Sequence, residues 1–162
     1  VFIHIKCQSI FIFCGVLNLQ GCKLIKKLIG GKDKCEILYS RNNYGADKKW
    51  ISKEKSNEYK YPIVHSTPWS GVRYVWSNKN DNGSFGVKKV IFGDSGICNP
   101  VLDLEGKYGM TQHAMGIVDG TKIMNAIVTP EFRKVLDACL WSSYAIEWNI
   151  FSDFRKDFYK YF

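Results

Sequence analysis

Three charged residues in the middle of the chain, Asp94, Glu105 and Lys107, are spaced as a loose D…ExK pattern. In such a pattern two carboxylates hold a magnesium ion while the lysine steadies the attacking water or the phosphate, so a metal-dependent nuclease is one reading. The same residues read more readily as turn chemistry: Glu105-Gly106-Lys107 as a charged hairpin tip and Asp94-Ser95-Gly96 as an ordinary turn. Ser95 does not sit in the GxSxG elbow that exposes a nucleophilic serine. His65 and His113 fall in separate strand-like segments and could meet only in three dimensions. Of the six cysteines, Cys7, Cys14, Cys22, Cys35, Cys98 and Cys139, no pair has CxxC spacing and no ligand cluster is visible. Buried, reduced thiols are therefore expected, and no metal site. No Gly-rich turn follows a strand and opens a helix, so no cofactor cradle is expected in this chain.

A different chemistry follows from charge and aromatic content. The chain carries a net charge of +8, and aromatics make up 15% of it. Residues 1–40 hold six Lys/Arg against two Asp/Glu, residues 41–90 ten against four, and residues 91–162 seven against nine. The excess of positive charge thus lies in the first 90 residues, where it favours a polyanion. Arg41 and Tyr44 precede Lys48, Lys49 and Trp50, with Lys53 and Lys55 close behind. Arg73, Tyr74 and Trp76 follow on a hairpin pattern, and Lys88 and Lys89 open the next strand. Lysine and arginine would fix phosphates, Lys107 among them, while Arg73, Gln112 and His113 could reach base edges. The competing reading is that the rings pack a sheet and the lysines only solvate it.

These residues need elements to position them. Leu24, Ile25, Leu28 and Ile29 recur at helical spacing and Gly30-Gly31 ends that helix. Cys35 to Tyr39 is a short strand pattern. Residues 40–60 are too polar for a core strand and read as a long surface loop with one helical turn. Residues 61–67 and 72–77 alternate on either side of Pro68 to Gly71, a hairpin pattern. Strands are expected over Val87 to Phe92, Val101 to Leu104 and Thr111 to Val118, with turns at 93–96 and 105–107. A short helix is expected over Asp119 to Ala126. Thr129 then reads as an N-cap with Pro130 at the first helical position, for a helix to about Leu140. Trp148, Phe151, Phe154, Phe158 and Tyr159 suggest a final amphipathic helix. The fold class is α+β: an antiparallel or mixed sheet with helices mainly in the last third.

The first residues are less informative. A chain that opens on Val1 is expected to be a piece of a longer protein or processed from one. The apolar run from Ile10 to Leu19 is too short to span a bilayer, so no membrane association is expected. Residues 2–19 read as one or two buried strands.

Five segments carry a further likeness: ILYSRNNYGADKKWISKEK, KYPIVHSTPWSGVRYVWSN, GVKKVIFGDSGI, LDLEGKYGMTQHAM and CLWSSYAIEWNIFSDFRKDF. Together, from Lys34 to the C-terminus, they resemble the target-recognition region of adenine-specific DNA methyltransferases. Those enzymes come from restriction-modification systems, type IIG-like and viral or phage relatives included. The resemblance implies a DNA-binding domain over residues 34–162; residues 1–33, which it does not cover, are expected to be a leading segment of the same domain. It implies double-stranded DNA as partner, an intracellular setting, and an upstream catalytic domain that binds S-adenosylmethionine. The Asn/Asp-Pro-Pro-aromatic loop of that catalytic part is missing, since Asn99-Pro100 is followed by Val101-Leu102. The resemblance supplies no individual DNA contacts, so the candidate residues above rest on their chemistry alone.

Overall fold

A computed structural model describes residues 19–162 apart from 40–43, 46, 83, 95, 143, 144 and 147. The strands expected over residues 2–19 lie outside the described residues, except that Leu19 opens a helix. The fold is α+β, and its described residues fall into two compact units. One joins residues up to Cys35 to residues 126–162; the other is continuous from Glu36 to Asn125.

In the first unit, helix α1 (Leu19–Leu28) buries Ile25 and Leu28 and presents Lys23, Lys26 and Lys27 to solvent. Strand β1 (Ile37–Tyr39), β2 (Ile51–Ser52), β3 (Tyr61–Ser66), β4 (Arg73–Ser77), β5 (Lys89–Gly93), β6 (Gly96–Asp103), β7 (Gly109–Met110) and β8 (Ala114–Val118) belong to the second unit. Helix α2 (Thr121–Ile127) follows, where the chain passes between units, and then α3 (Pro130–Ala138). The Thr129 hydroxyl accepts the Phe132 amide at 3.1 Å, as its position before Pro130 suggests, and Phe132, Val135 and Leu136 form the buried stripe of α3. Two short strands, β9 (Leu140–Ser142) and β10 (Ala145–Ile146), come next.

The tail corrects the expected final helix. It forms two 3-10 segments, Trp148–Asp153 and Phe158–Tyr161, separated by a stretch paired to other backbone. Arg155 donates its amide to Leu28 O at 2.8 Å, Cys35 donates to Phe154 O at 2.8 Å, and Lys156 donates to Asp33 O at 2.9 Å. The Arg155 and Lys156 amides and the Phe154 carbonyl are thereby withdrawn from a continuous helix. The aromatic spacing of the tail serves a core instead: Phe132, Phe151, Phe154 and Phe158 are buried, with neighbouring ring centroids 4.8–5.9 Å apart.

The second unit holds two four-stranded sheets. The first has the order β1-β8-β5-β6 and is antiparallel; the second has the order β2-β4-β3-β7, with β7 parallel to β3. Val64, Ile91, Met110 and Ala114 are fully buried in a cluster drawn from both sheets. On the opposite face of the second sheet, Tyr44, Ile63 and Val75 form another cluster, with Trp50, Ile51 and Phe85 against it. β6 runs five residues further back than its apolar pattern suggests, through Asn99 and Pro100. Among the described residues β6 is an edge strand, and there a proline that cannot donate to the ladder is tolerated. The β6–β7 loop closes on the β4–β5 loop through Gly86 N, which donates to Gly106 O at 2.9 Å. Gly106 has φ +68°, and a Cβ there would lie 2.5 Å from the Gly86 carbonyl carbon, so only glycine fits.

Candidate nucleic-acid interface

The second sheet positions most of the candidate residues, and its register sorts them by face and by end. Pro62 lies opposite Trp76, and Val64 opposite both Tyr74 and Met110, so these side chains share one face. Val64 and Met110 are buried under the first sheet, while Tyr74 is 37% exposed and lies 5.8 Å from the Tyr108 ring. Burial, then the neighbouring Tyr108, raises the Tyr74 phenol above its ordinary value.

At the end of β4, the chain before β2 and the segment between β2 and β3 converge. Trp50 O accepts the Asn78 amide at 3.1 Å, and the Tyr59 hydroxyl donates to Lys49 O at 3.1 Å. The converging segments carry Lys48, Lys49, Lys53, Lys55, Lys60 and Lys79, with Trp76 on the Tyr74 face and Trp50 against the opposite one. Lys79 Nζ lies 3.9 Å from the Trp50 ring centre, Lys55 Nζ 5.1 Å from that of Trp76, and Lys60 Nζ 5.3 Å from that of Tyr61. Asp47, Glu54, Glu58 and Asp81 are interleaved with these six lysines, and exposed ion pairs join Lys48 to Asp47 at 3.6 Å and Lys79 to Asp81 at 3.7 Å. Such pairs are weak and exchange readily for phosphate. The expected surface loop thus exists, but it is anchored by a strand, β2, rather than by a helical turn.

At the other end of the same sheet stands a polar group that alternating patterns could not reveal. The register of β3 against β4 shifts between Val64 and Ser66, leaving His65 as an extra residue, and such bulges redirect a side chain. The His65 ring meets the His113 ring edge-on at 5.1 Å. Thr111 Oγ1 lies 3.3 Å from His65 O and 3.2 Å from His65 Nδ1, and it accepts the His113 amide at 3.2 Å. His113 Nδ1 donates to Asp94 Oδ2 at 3.3 Å. With Nδ1 on the carboxylate, His113 presents Nε2 outward, and Gln112 Nε2 lies 3.4 Å from it. Burial, then His113 and Arg73, holds the His65 imidazole below its ordinary value, against the opposing pull of Asp94. Gln112, His113 and Arg73 are exposed here. β4 separates the two ends by four residue steps, roughly 13 Å, the rise of about four base pairs.

Several expected residues are placed elsewhere. Lys89 is not a phosphate ligand: it is 0% exposed, and Nζ lies 2.7 Å from Asp103 Oδ2, itself a side chain only 2% exposed. Nζ also donates to Ser84 O at 2.8 Å and Val87 O at 3.0 Å. Lys88, just before β5, is exposed, whereas Lys89 opens β5 and is buried. Tyr44 is likewise fully buried, its hydroxyl donating to Asp81 Oδ1 at 3.3 Å and accepting the Asn82 amide at 3.2 Å. Lys88 is exposed beside the first sheet, away from the lysine–indole end, and Arg41 lies outside the described residues. Lys60, Lys79 and Tyr108, absent from the sequence-based set, each meet an aromatic ring, those of Tyr61, Trp50 and Tyr74 respectively; Tyr108 precedes a two-residue strand too short to show a period.

The D…ExK grouping does not assemble. Asp94 follows β5 at the end where Gly93 pairs with Gly96, whereas Glu105 and Lys107 follow β6 at the end where Asp103 pairs with Lys89. The length of the hairpin, on the order of 13 Å, separates the two carboxylates, too far to share one ion. Glu105 instead holds Lys107 at 2.7 Å, which raises the Lys107 ammonium above its ordinary value. No cluster of three or more His, Cys, Asp or Glu suited to a metal occurs among the described residues. Cys35 is buried in the first unit, donates to Arg155 O at 3.2 Å, and has its thiol pushed up to about 12, chiefly by burial. Cys98 is a half-buried free thiol and Cys139 is buried, while Cys7, Cys14 and the Cys22 side chain lie outside what the structure describes. No helix among the described residues is long and apolar enough to cross a membrane.

Set against models of known protein families, curated proteins and solved structures, the chain has no match.

Proposed function

We propose that this chain is a DNA-binding specificity module of a restriction-modification N6-adenine methyltransferase acting inside a host cell. Methyl transfer, and S-adenosylmethionine with it, belongs to a separate catalytic part of the parent protein on this reading. The observation that carries the DNA-binding element is the lysine–indole end of the second sheet. There, Lys55 lies over Trp76 on the face that also carries Tyr74, Lys79 lies over Trp50, which packs on the opposite face, and Lys48, Lys49, Lys53 and Lys60 come from the same segments. Lysines supply counterion-releasing phosphate contacts, and the Arg73, Gln112 and His113 group at the opposite end supplies donors and acceptors for base edges. The assignment to adenine methylation rests on the sequence resemblance.

The test is duplex binding followed by fluorescence anisotropy over a range of salt. The expected result is a log–log slope that falls by about two when Lys48 and Lys49 are both changed to Ala, because each phosphate contact contributes about 0.9. An unchanged slope in that double variant would remove this surface from the interface. Joining the chain to candidate catalytic domains and measuring methyl incorporation into adenine tests the remainder.

A further inference from the structure

We propose that Trp69 is a wedge that this chain inserts into the base stack of DNA, an inference that rests on the DNA-binding reading above. Trp69 is 75% exposed, more than any other large hydrophobic side chain described. Isolated exposed apolar residues are ordinary on protein surfaces, so exposure alone carries nothing. What distinguishes Trp69 is its support. It sits at the tip of the β3–β4 hairpin in a turn closed by Gly71 N donating to Pro68 O at 3.0 Å. Gly71 has φ +116°, a conformation that strains any residue with a Cβ, and Pro68 fixes its own φ. The base of the tip is fastened to the first sheet on both sides of the Thr67–Pro68 bond. Thr67 Oγ1 accepts the Gly93 amide at 2.8 Å, Thr67 O accepts the Asn99 amide at 3.2 Å, and Asn99 Nδ2 donates to Pro68 O. Thr67 is 2% exposed. A bulky ring is thus held out in water on a backbone already ordered before any partner arrives, which lowers the entropic cost of using it.

The surroundings point to nucleic acid as that partner. The hairpin legs beneath the tip carry Arg73 on one strand and His65 on the other, and His65 adjoins His113. The Arg73 guanidinium at the foot of a rigid indole matches a phosphate flanking an opened base step. The lysine–indole cluster stands at the far end of the same strands. Wedges of this kind part a base step, and an indole face stacks on any base, so the contact adds affinity without adding sequence preference.

The experiment compares binding of the whole chain to a random-sequence duplex with binding to the same duplex bearing one abasic position. At an abasic position the gap a wedge needs is already open. Wild type is expected to prefer the abasic duplex by about 5- to 150-fold, the span of one base–aromatic stack. Trp69→Ala should lose that preference while keeping its salt-dependent binding to the intact duplex, and Trp69→Phe should retain most of it. If Trp69→Ala prefers the abasic duplex as wild type does, or wild type shows no preference, the wedge is refuted and the DNA-binding reading stands; such a result would leave the indole to a protein partner. If wild type binds neither duplex, both are refuted together.

Discussion

The pairing of Lys89 with Asp103 invites a quantitative test, because each partner leaves a different deficit when removed. With Asp103→Ala, the Lys89 ammonium stays fully buried with two carbonyls for company, and the Lys107 and Tyr108 amides lose the carboxylate that accepts them at 2.8 and 3.0 Å. Breaking a buried pair costs about 3–5 kcal/mol, and the two freed amides place this variant at about 5 kcal/mol. With Lys89→Met, Asp103 keeps both amides, which places that variant at about 3 kcal/mol. The double variant Lys89→Met with Asp103→Leu should be more stable than the sum of these losses by about 2 kcal/mol or more. Urea unfolding of the four proteins reads all three numbers. Burial, opposed by Asp103, also holds the Lys89 ammonium below its ordinary 10.5. Between the folded and unfolded values the unfolded chain binds more protons, so this group's contribution makes stability rise with pH there, and Lys89→Met removes that rise. Asp103→Ala unfolding within about 1 kcal/mol of wild type would refute the reasoning, since an uncompensated buried charge cannot be so cheap. The same variant separates structure from binding: Lys89→Met should leave the salt slope for duplex unchanged, because its ammonium does not reach the surface.

His65 sets an acid limit of its own. Its folded value lies below the ordinary 6.5, so as pH falls just below 6.5 the unfolded chain takes up the proton more readily and stability drops; the drop should be smaller in His65→Gln, read by thermal unfolding across that window. Thr129→Ala should destabilise by about 1 kcal/mol through loss of the cap on Phe132 N, with Thr129→Ser near wild type in denaturant titrations. Adding Lys53→Ala and Lys55→Ala to the Lys48/Lys49 double variant should roughly double its loss of salt slope, measured by the same anisotropy titration, if the whole end of the sheet faces phosphate.

Where local chemistry decided the outcome, the sequence was readable. The Thr129–Pro130 helix start, the hairpin around Pro68–Gly71 and the Gly30–Gly31 stop each depend on a few adjacent residues, and each stands where expected. Where distant partners decided it, the sequence misled. The aromatic tail has helical spacing, but pairing with Leu28, Asp33 and Cys35 takes its backbone. Asn99-Pro100 looks like a break until β6 is seen at the edge of its sheet. Lys89 looks like surface charge until Asp103, fourteen residues later, comes to face it across the ladder. The meeting of His65 and His113 depends on a bulge and a turn that no alternation in either segment foretells.

The continuous course of residues 36–125, with the flanking stretches gathered into a unit of their own, sets an order of assembly during synthesis. The two-sheet unit has all its strands once Val118 has left the ribosome, whereas α1 must wait for α3 and the phenylalanine-rich tail before its buried face is covered. The intervening ninety residues act as a loop whose closure, once that loop has folded, no longer carries the entropy of a free chain of that length. Translation therefore presents the surface with the lysines, indoles and imidazoles first, and seals the helical layer last.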